Sequence, residues 1–165
     1  MKTALIVIDV QKYFLNKSTN HLPERIHDYI KNNKFELVLF TKFVNNAKSN
    51  FSKSLSWHDC TGSPDTDIVE ELLEFTKNGN VFEKHTFSGF KNKKLVKFLR
   101  DKKIDSVYLC GTDSDACVLA SAFDAFDLGF HVTVLKDLCA SCNGNNFHGY
   151  GKAIIERNLE RLEKD

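Results

Sequence analysis

A chain of 165 residues with a formal net charge of +1 is long enough for one domain with a full core. It carries no global field that would draw it to nucleic acid or to an acidic membrane surface. Fourteen phenylalanines against two prolines exclude a disordered chain, and no stretch is apolar for long enough to span a bilayer.

The elements are read in chain order. Thr3–Ile8 is a continuous β-branched and apolar run, which predicts a strand over 3–9 buried on both faces of a parallel sheet. It ends at Asp9, a carboxylate at the end of a strand, where open α/β sheets place their ligands; a turn-capping role is the plain alternative. A helix is expected over 23–32, with Pro23 in its first turn and Ile26, Tyr29 and Ile30 along one stripe. A second buried strand follows at 36–41. Residues 43–80, with Trp57, Cys60, Gly62 and Pro64 ahead of an acidic helical fragment at 67–76, form a long irregular insertion of the kind that shapes binding sites.

A short strand at 81–84 delivers Lys84 into an aromatic, glycine-containing loop with Phe87, Ser88, Gly89 and Phe90. By itself Lys84 reads as a solvated surface lysine. The basic run from Lys91 to Lys103 is interleaved with Leu95, Phe98 and Leu99, so it reads as the wet face of an amphipathic helix at 92–103 and not as a nucleic-acid patch. A strand at 106–111 ends at Gly111, a polar turn follows, and Cys117 opens a helix at 117–129. Strand, tight turn, nucleophile and helix is the logic of a nucleophile elbow. A cysteine in the first turn, beside the positive end of the dipole, is expected to have a lowered pKa; a small buried core residue is the alternative. The last elements are a strand at 131–136 and a helix at 148–163.

No secretory signal is expected, since the apolar run behind Met1 and Lys2 is cut by Asp9 with no cleavage site after it. Five cysteines, an odd number, then point to reduced thiols in the cytoplasm. Cys139 and Cys142 have the spacing of a redox pair, or of half a zinc site with His148 as the nearest further ligand. Incidental cysteines rank ahead of either.

Three segments together resemble the isochorismatase-like cysteine hydrolases, the family that includes nicotinamidases: Ile8-Asp9-Val10-Gln11 with Phe14, Lys84 with Ser88-Gly89-Phe90, and Gly111 through Cys117-Val118. They run in the family's order over nearly the whole chain. The resemblance implies a single domain, 1–165, of three α/β layers. Its parallel five-stranded sheet has the order 3-2-1-4-5, with helices on both faces, and the usual sixth strand is missing after the last helix. Strand five is then an exposed edge, or one covered by a partner subunit. It also implies an Asp9, Lys84, Cys117 catalytic triad, a non-proline cis peptide at Thr112–Asp113, and an oxyanion hole made by the backbone N–H groups of Asp113 and Cys117. Phe14, Trp57, Phe87 and Phe90 are the candidate substrate-binding wall.

Nicotinamidases carry an Asp-x-His pair after strand two that helps hold a divalent metal. This chain reads Thr41-Lys42-Phe43-Val44-Asn45 there, and His58 with Asp59 is a poor chelating pair, so neither a metal nor any other cofactor is expected. The expected activity is hydrolysis of a C–N bond in a small amide or ureide through an acyl-thioester, by a homo-oligomer with no nucleic-acid or membrane partner. Enol-ether hydrolysis, and a non-catalytic or redox-responsive binding protein on the same fold, remain the alternatives.

Overall fold

The computed structural model describes residues 2–160. Five strands form one all-parallel sheet in the order β3-β2-β1-β4-β5: β1 Thr3–Ile8, β2 Leu37–Phe43, β3 Val81–Lys84, β4 Ser106–Thr112 and β5 His131–Ala140. The helices are α1 Leu22–Asn32, α2 Asn50–Leu55, α3 Lys93–Asp101, α4 Cys117–Asp127 and α5 Asn145–Leu159. Residues 161–163, the end of the expected last helix, lie outside the described residues. Ala4 through Ile8 are all fully buried. A strand whose alternate side chains point to opposite faces is buried throughout only when both faces are covered. No sixth strand is present among the described residues.

Two differences from the expected boundaries matter for the site. β2 runs two residues further, to Phe43, and β5 runs four further, to Ala140. The longer strands bring the end of β2 level with that of β3 and the end of β5 level with that of β4. Ile8 stands between Thr41 of β2 and Gly111 of β4, while Phe43 is the register partner of Lys84. Gly111 has φ +118, and a Cβ there would lie 2.2 Å from the Ile8 carbonyl oxygen. Only glycine lets β4 approach β1 this closely.

The 43–80 insertion contains α2, a cis Ser63–Pro64 peptide and a 3-10 segment at Glu70–Phe75 where an acidic helix was expected. Gln11 ties it down: its side chain accepts from the Phe43 N–H at 2.7 Å and donates to the carbonyls of Phe43 and Thr66 at 2.8 and 3.1 Å. A buried amide thereby continues the strand pairing beyond the point where β1 has turned away.

Candidate active site

Asp9 leaves β1 with φ +49, a left-handed conformation that costs a non-glycine residue about 1–2 kcal/mol and that aspartate tolerates better than most. Neighbouring strands hold it there. Thr41 donates its hydroxyl to Asp9 Oδ1 at 2.6 Å and accepts from the Asp9 N–H at 3.2 Å. Thr112 donates to the Asp9 carbonyl at 2.8 Å.

Lys84 is not a surface lysine. Its side chain and that of Asp9 are each 1% exposed, and Nζ lies 2.6 Å from Asp9 Oδ2. Nζ also donates to the Thr86 and Phe87 carbonyls at 2.7 and 2.9 Å, sits 3.5 Å from Cys117 Sγ, and lies 5.0 Å from the centre of the Phe43 ring. Burial works against the ammonium, but the facing Asp9 carboxylate and Cys117 sulfur together outweigh it, and the Lys84 pKa is raised. The approach to Oδ2 is off the hydrogen-bonding direction, so that oxygen has no directional donor among the described residues. Oδ1 is occupied by Thr41, whereas Oδ2 is held by charge alone and keeps a lone pair for a further proton.

The Ser88-Gly89-Phe90 segment supports this arrangement. Ser88 caps the following turn through the Phe90 N–H at 3.1 Å, and the Gly89 N–H donates to Ser121 Oγ of α4 at 2.9 Å. A Cβ on Gly89 would meet Thr41 Cγ2 at 2.9 Å. The loop that supplies carbonyls to Lys84 is thus pressed against both α4 and β2.

Cys117 opens α4. The peptide between Thr112 and Asp113 is cis. In the turn that follows, the N–H groups of Ala116 and Val118 both donate to the Asp113 carbonyl at 3.0 Å, skipping Cys117. Neither the Asp113 nor the Cys117 N–H has a hydrogen-bond partner among the described residues. The expected lowering of the Cys117 pKa is corrected. Burial first and then the Asp9 carboxylate push the thiol well up, against an opposing pull from Lys84. The helix-start position is real, but dehydration and a neighbouring anion outweigh it, so the resting group is a thiol.

Above Cys117 lies a cavity of about 310 Å³ lined by Tyr13, Phe14, Phe43, Phe51, Trp57 and Phe87, with Asp113, Ala116, Cys142 and Asn143. Of the expected wall, Phe14, Trp57 and Phe87 are among these lining residues. Phe90 is not: it is buried in the main core against Phe130, with ring centres 5.8 Å apart. Tyr13, Phe43 and Phe51 were missed. Trp57 stacks on Phe43 at 5.4 Å with planes 7° apart and donates from Nε1 to the Tyr13 hydroxyl at 2.8 Å, which in turn donates to Asp59 at 3.1 Å. The adjacency of Tyr13 to Phe14, and the position of Phe43 just beyond Thr41, were the signals available.

Cys139 and Cys142 have different partners. Cys139 is buried with Sγ on the Leu135 carbonyl at 3.3 Å, while Cys142 faces Asp113 and the cavity. His148 hydrogen-bonds Ser114 at 2.9 Å. The residues at the end of β2 and just beyond it do not fit a divalent ion either. Phe43 is a wall of the cavity, and the Asn45 amide is spent on the Trp57 and Asp59 carbonyls at 2.9 and 3.1 Å. Among the described residues no three His, Cys, Asp or Glu side chains converge on one point.

The comparisons agree with this architecture. The chain matches the isochorismatase domain over residues 3–159 and therefore belongs to the isochorismatase family of hydrolases. It is 31% identical over 162 residues to an uncharacterized isochorismatase family protein of Bacillus subtilis strain 168, covering 87% of this chain and 88% of that one. It is 25% identical over 146 residues to nicotinamidase 3 of Arabidopsis thaliana, covering 85% and 74%. The crystal structure of an isochorismatase-like hydrolase from Alkaliphilus metalliredigens superposes with a TM-score of 0.83 at 21% identity, covering 95% of this chain and 92% of that one. No described helix is long and apolar enough to cross a membrane.

Proposed function

We propose that the protein is a cysteine hydrolase that cleaves the C–N bond of a small, uncharged amide or ureide, with Asp9, Lys84 and Cys117 as its catalytic unit. The observation that carries this reading is the buried chain of contacts from Asp9 to Lys84 at 2.6 Å and from Lys84 to Cys117 at 3.5 Å, beneath an aromatic cavity. A charged pair without access to water is expensive to bury, and its position under a thiol gives it a chemical use. The cavity walls present no exposed cation to a substrate carboxylate, which favours a neutral substrate.

In this scheme the Cys117 proton passes to Asp9 Oδ2 as the sulfur attacks the carbonyl carbon, and Lys84 stabilises the developing thiolate. The carbonyl oxygen becomes an anion facing the unpartnered Asp113 and Cys117 N–H groups. Protonated Asp9 then gives its proton to the leaving nitrogen, the C–N bond breaks, and a thioester remains on Cys117. Water replaces the amine, Asp9 takes its proton, hydroxide attacks the thioester carbon, and the sulfur leaves to recover the proton. Five free cysteines suit the reduced cytoplasm proposed as its location.

A panel of small neutral amides and ureides, read by ammonia or amine release, finds the substrate. Rapid acid quench with intact-protein mass spectrometry should then show an acyl adduct on Cys117, and hydroxylamine should divert it to a hydroxamate. Near-normal turnover by Cys117→Ala, with no adduct on the parent, would overturn the thioester route.

A further inference from the structure

The residue that offers an amide to the developing oxyanion carries a carboxyl group of its own. Asp113 is only 9% exposed and lines the cavity. An ionised carboxylate so close to the reacting oxygen opposes the negative charge that must form there, and a low dielectric strengthens the opposition. The charged groups that face Asp113 do not relieve it. Asp115 of the same turn and Asp9 at the end of β1 are both acidic, and Lys84 on β3 is committed to Asp9 and two carbonyls.

The partner that Asp113 does have is Cys142, on the segment just after β5. The Cys142 N–H donates to Oδ1 at 2.8 Å and its thiol donates to Oδ2 at 2.7 Å. That segment is itself anchored: Asn16 donates to the Cys142 carbonyl at 2.8 Å, and the Ser114 N–H donates to the Ala140 carbonyl at 3.0 Å. We propose that Cys142 is a positioning residue for the hydrolase reaction: its two hydrogen bonds hold the Asp113 carboxyl aside and disperse its charge, leaving the Asp113 amide free to serve the oxyanion. The inference rests on the cysteine-hydrolase reading above. Burial and the Asp113 carboxylate push the Cys142 thiol well up, so it keeps its proton and remains a donor. Burial leaves the Asp113 pKa raised, and the two Cys142 bonds pull against that rise.

The test is a double-mutant cycle on the full chain. Cys142→Ala should lower kcat about tenfold or more while KM moves less, as expected when an interaction made in the transition state is lost. Its kcat should recover as the pH is lowered, because protonating Asp113 removes the opposing charge. Cys142→Ser keeps a donor and should restore most of the loss. In an Asp113→Asn background the Cys142→Ala change should cost little more, since no charge remains to be dispersed. Equal losses from Cys142→Ala in both backgrounds, or a pH profile identical to the parent's, would assign Cys142 to packing and overturn the proposal. A second arm needs no substrate. Alkylation of Cys142, mapped by peptide mass spectrometry, should proceed at lower pH in Asp113→Asn than in the parent. An unchanged profile would mean that the thiol does not bond the carboxyl, whatever becomes of the amide-hydrolase reading.

Discussion

Thr41 donates its hydroxyl to Asp9 Oδ1 at 2.6 Å while accepting the Asp9 N–H at 3.2 Å, so one side chain on β2 fixes both the carboxylate and the backbone of the proposed base on β1. Register makes this possible, because Thr41 is paired with Ile8, the residue before Asp9. With Oδ1 engaged by Thr41, the transferable proton is directed to Oδ2. Thr41→Val keeps the shape and removes both bonds. The expected result is a folded protein destabilised by about 1–3 kcal/mol, the cost of unsatisfied buried polar atoms, with kcat reduced by more than that loss of stability alone would cause. Urea denaturation and steady-state kinetics on the same preparation separate the two effects.

Lys84 is the only cation paired with the Asp9 carboxylate among the described residues, so its removal should be felt first as instability. Lys84→Met leaves Asp9 uncompensated and strands the Thr86 and Phe87 carbonyls. A broken buried pair costs about 3–5 kcal/mol, a large share of the stability of a small domain. A shift of that size in the urea midpoint is expected. A stability close to the parent's would mean that the pair is more hydrated than its 1% exposure implies.

Asp9 and Cys117 should dissociate reactivity from turnover. After burial, the charge of the Asp9 carboxylate is the main influence that raises the Cys117 pKa. Asp9→Asn therefore increases the thiolate fraction at a given pH, and iodoacetamide should label Cys117 faster at pH 8 than in the parent. Turnover should nevertheless fall by about 10²–10⁴, the range for losing a general acid–base. Slower labelling in the variant would contradict the electrostatic account of the resting thiol.

The buried thiols give the fold an alkaline limit. Burial pushes Cys60 and Cys139 up to about 12 and holds Cys110 and Cys117 well above the ordinary thiol range, while Lys84 is also raised. A group whose folded pKa is raised contributes stability that is present below its unfolded pKa and is lost as pH rises through the folded value. Unfolded cysteines ionise near about 8.5, so the urea midpoint should be flat through neutrality and fall above that pH. Each thiol adds up to about 1.4 kcal/mol per pH unit. Cys60→Ala should make the decline shallower. A midpoint unchanged to pH 10 would show that the thiols are not protected by burial as described.

The sequence by itself determined the parallel sheet and named the side chains proposed to react. Apolar runs such as Thr3–Ile8 and Ser106–Cys110 admit no use except as strands covered on both faces, and their alternation with helical stretches fixes a parallel sheet. Asp9, Lys84 and Cys117 became candidates together only through the resemblance of their three segments to one family; read locally, each kept a plain alternative. What faces what was decided only by the tertiary structure, since register and burial are pairwise properties that no single segment contains. Lys84 read alone is a surface lysine and becomes a buried ammonium only when Asp9 and two carbonyls surround it. Phe90 carries an aromatic signal no different from that of Phe87, yet one packs in the core and the other borders the cavity. Cys117 shows the same division. Its place at a helix start predicts a lowered pKa, and the balance tips the other way because dehydration and the Asp9 charge arrive from parts of the chain distant in sequence.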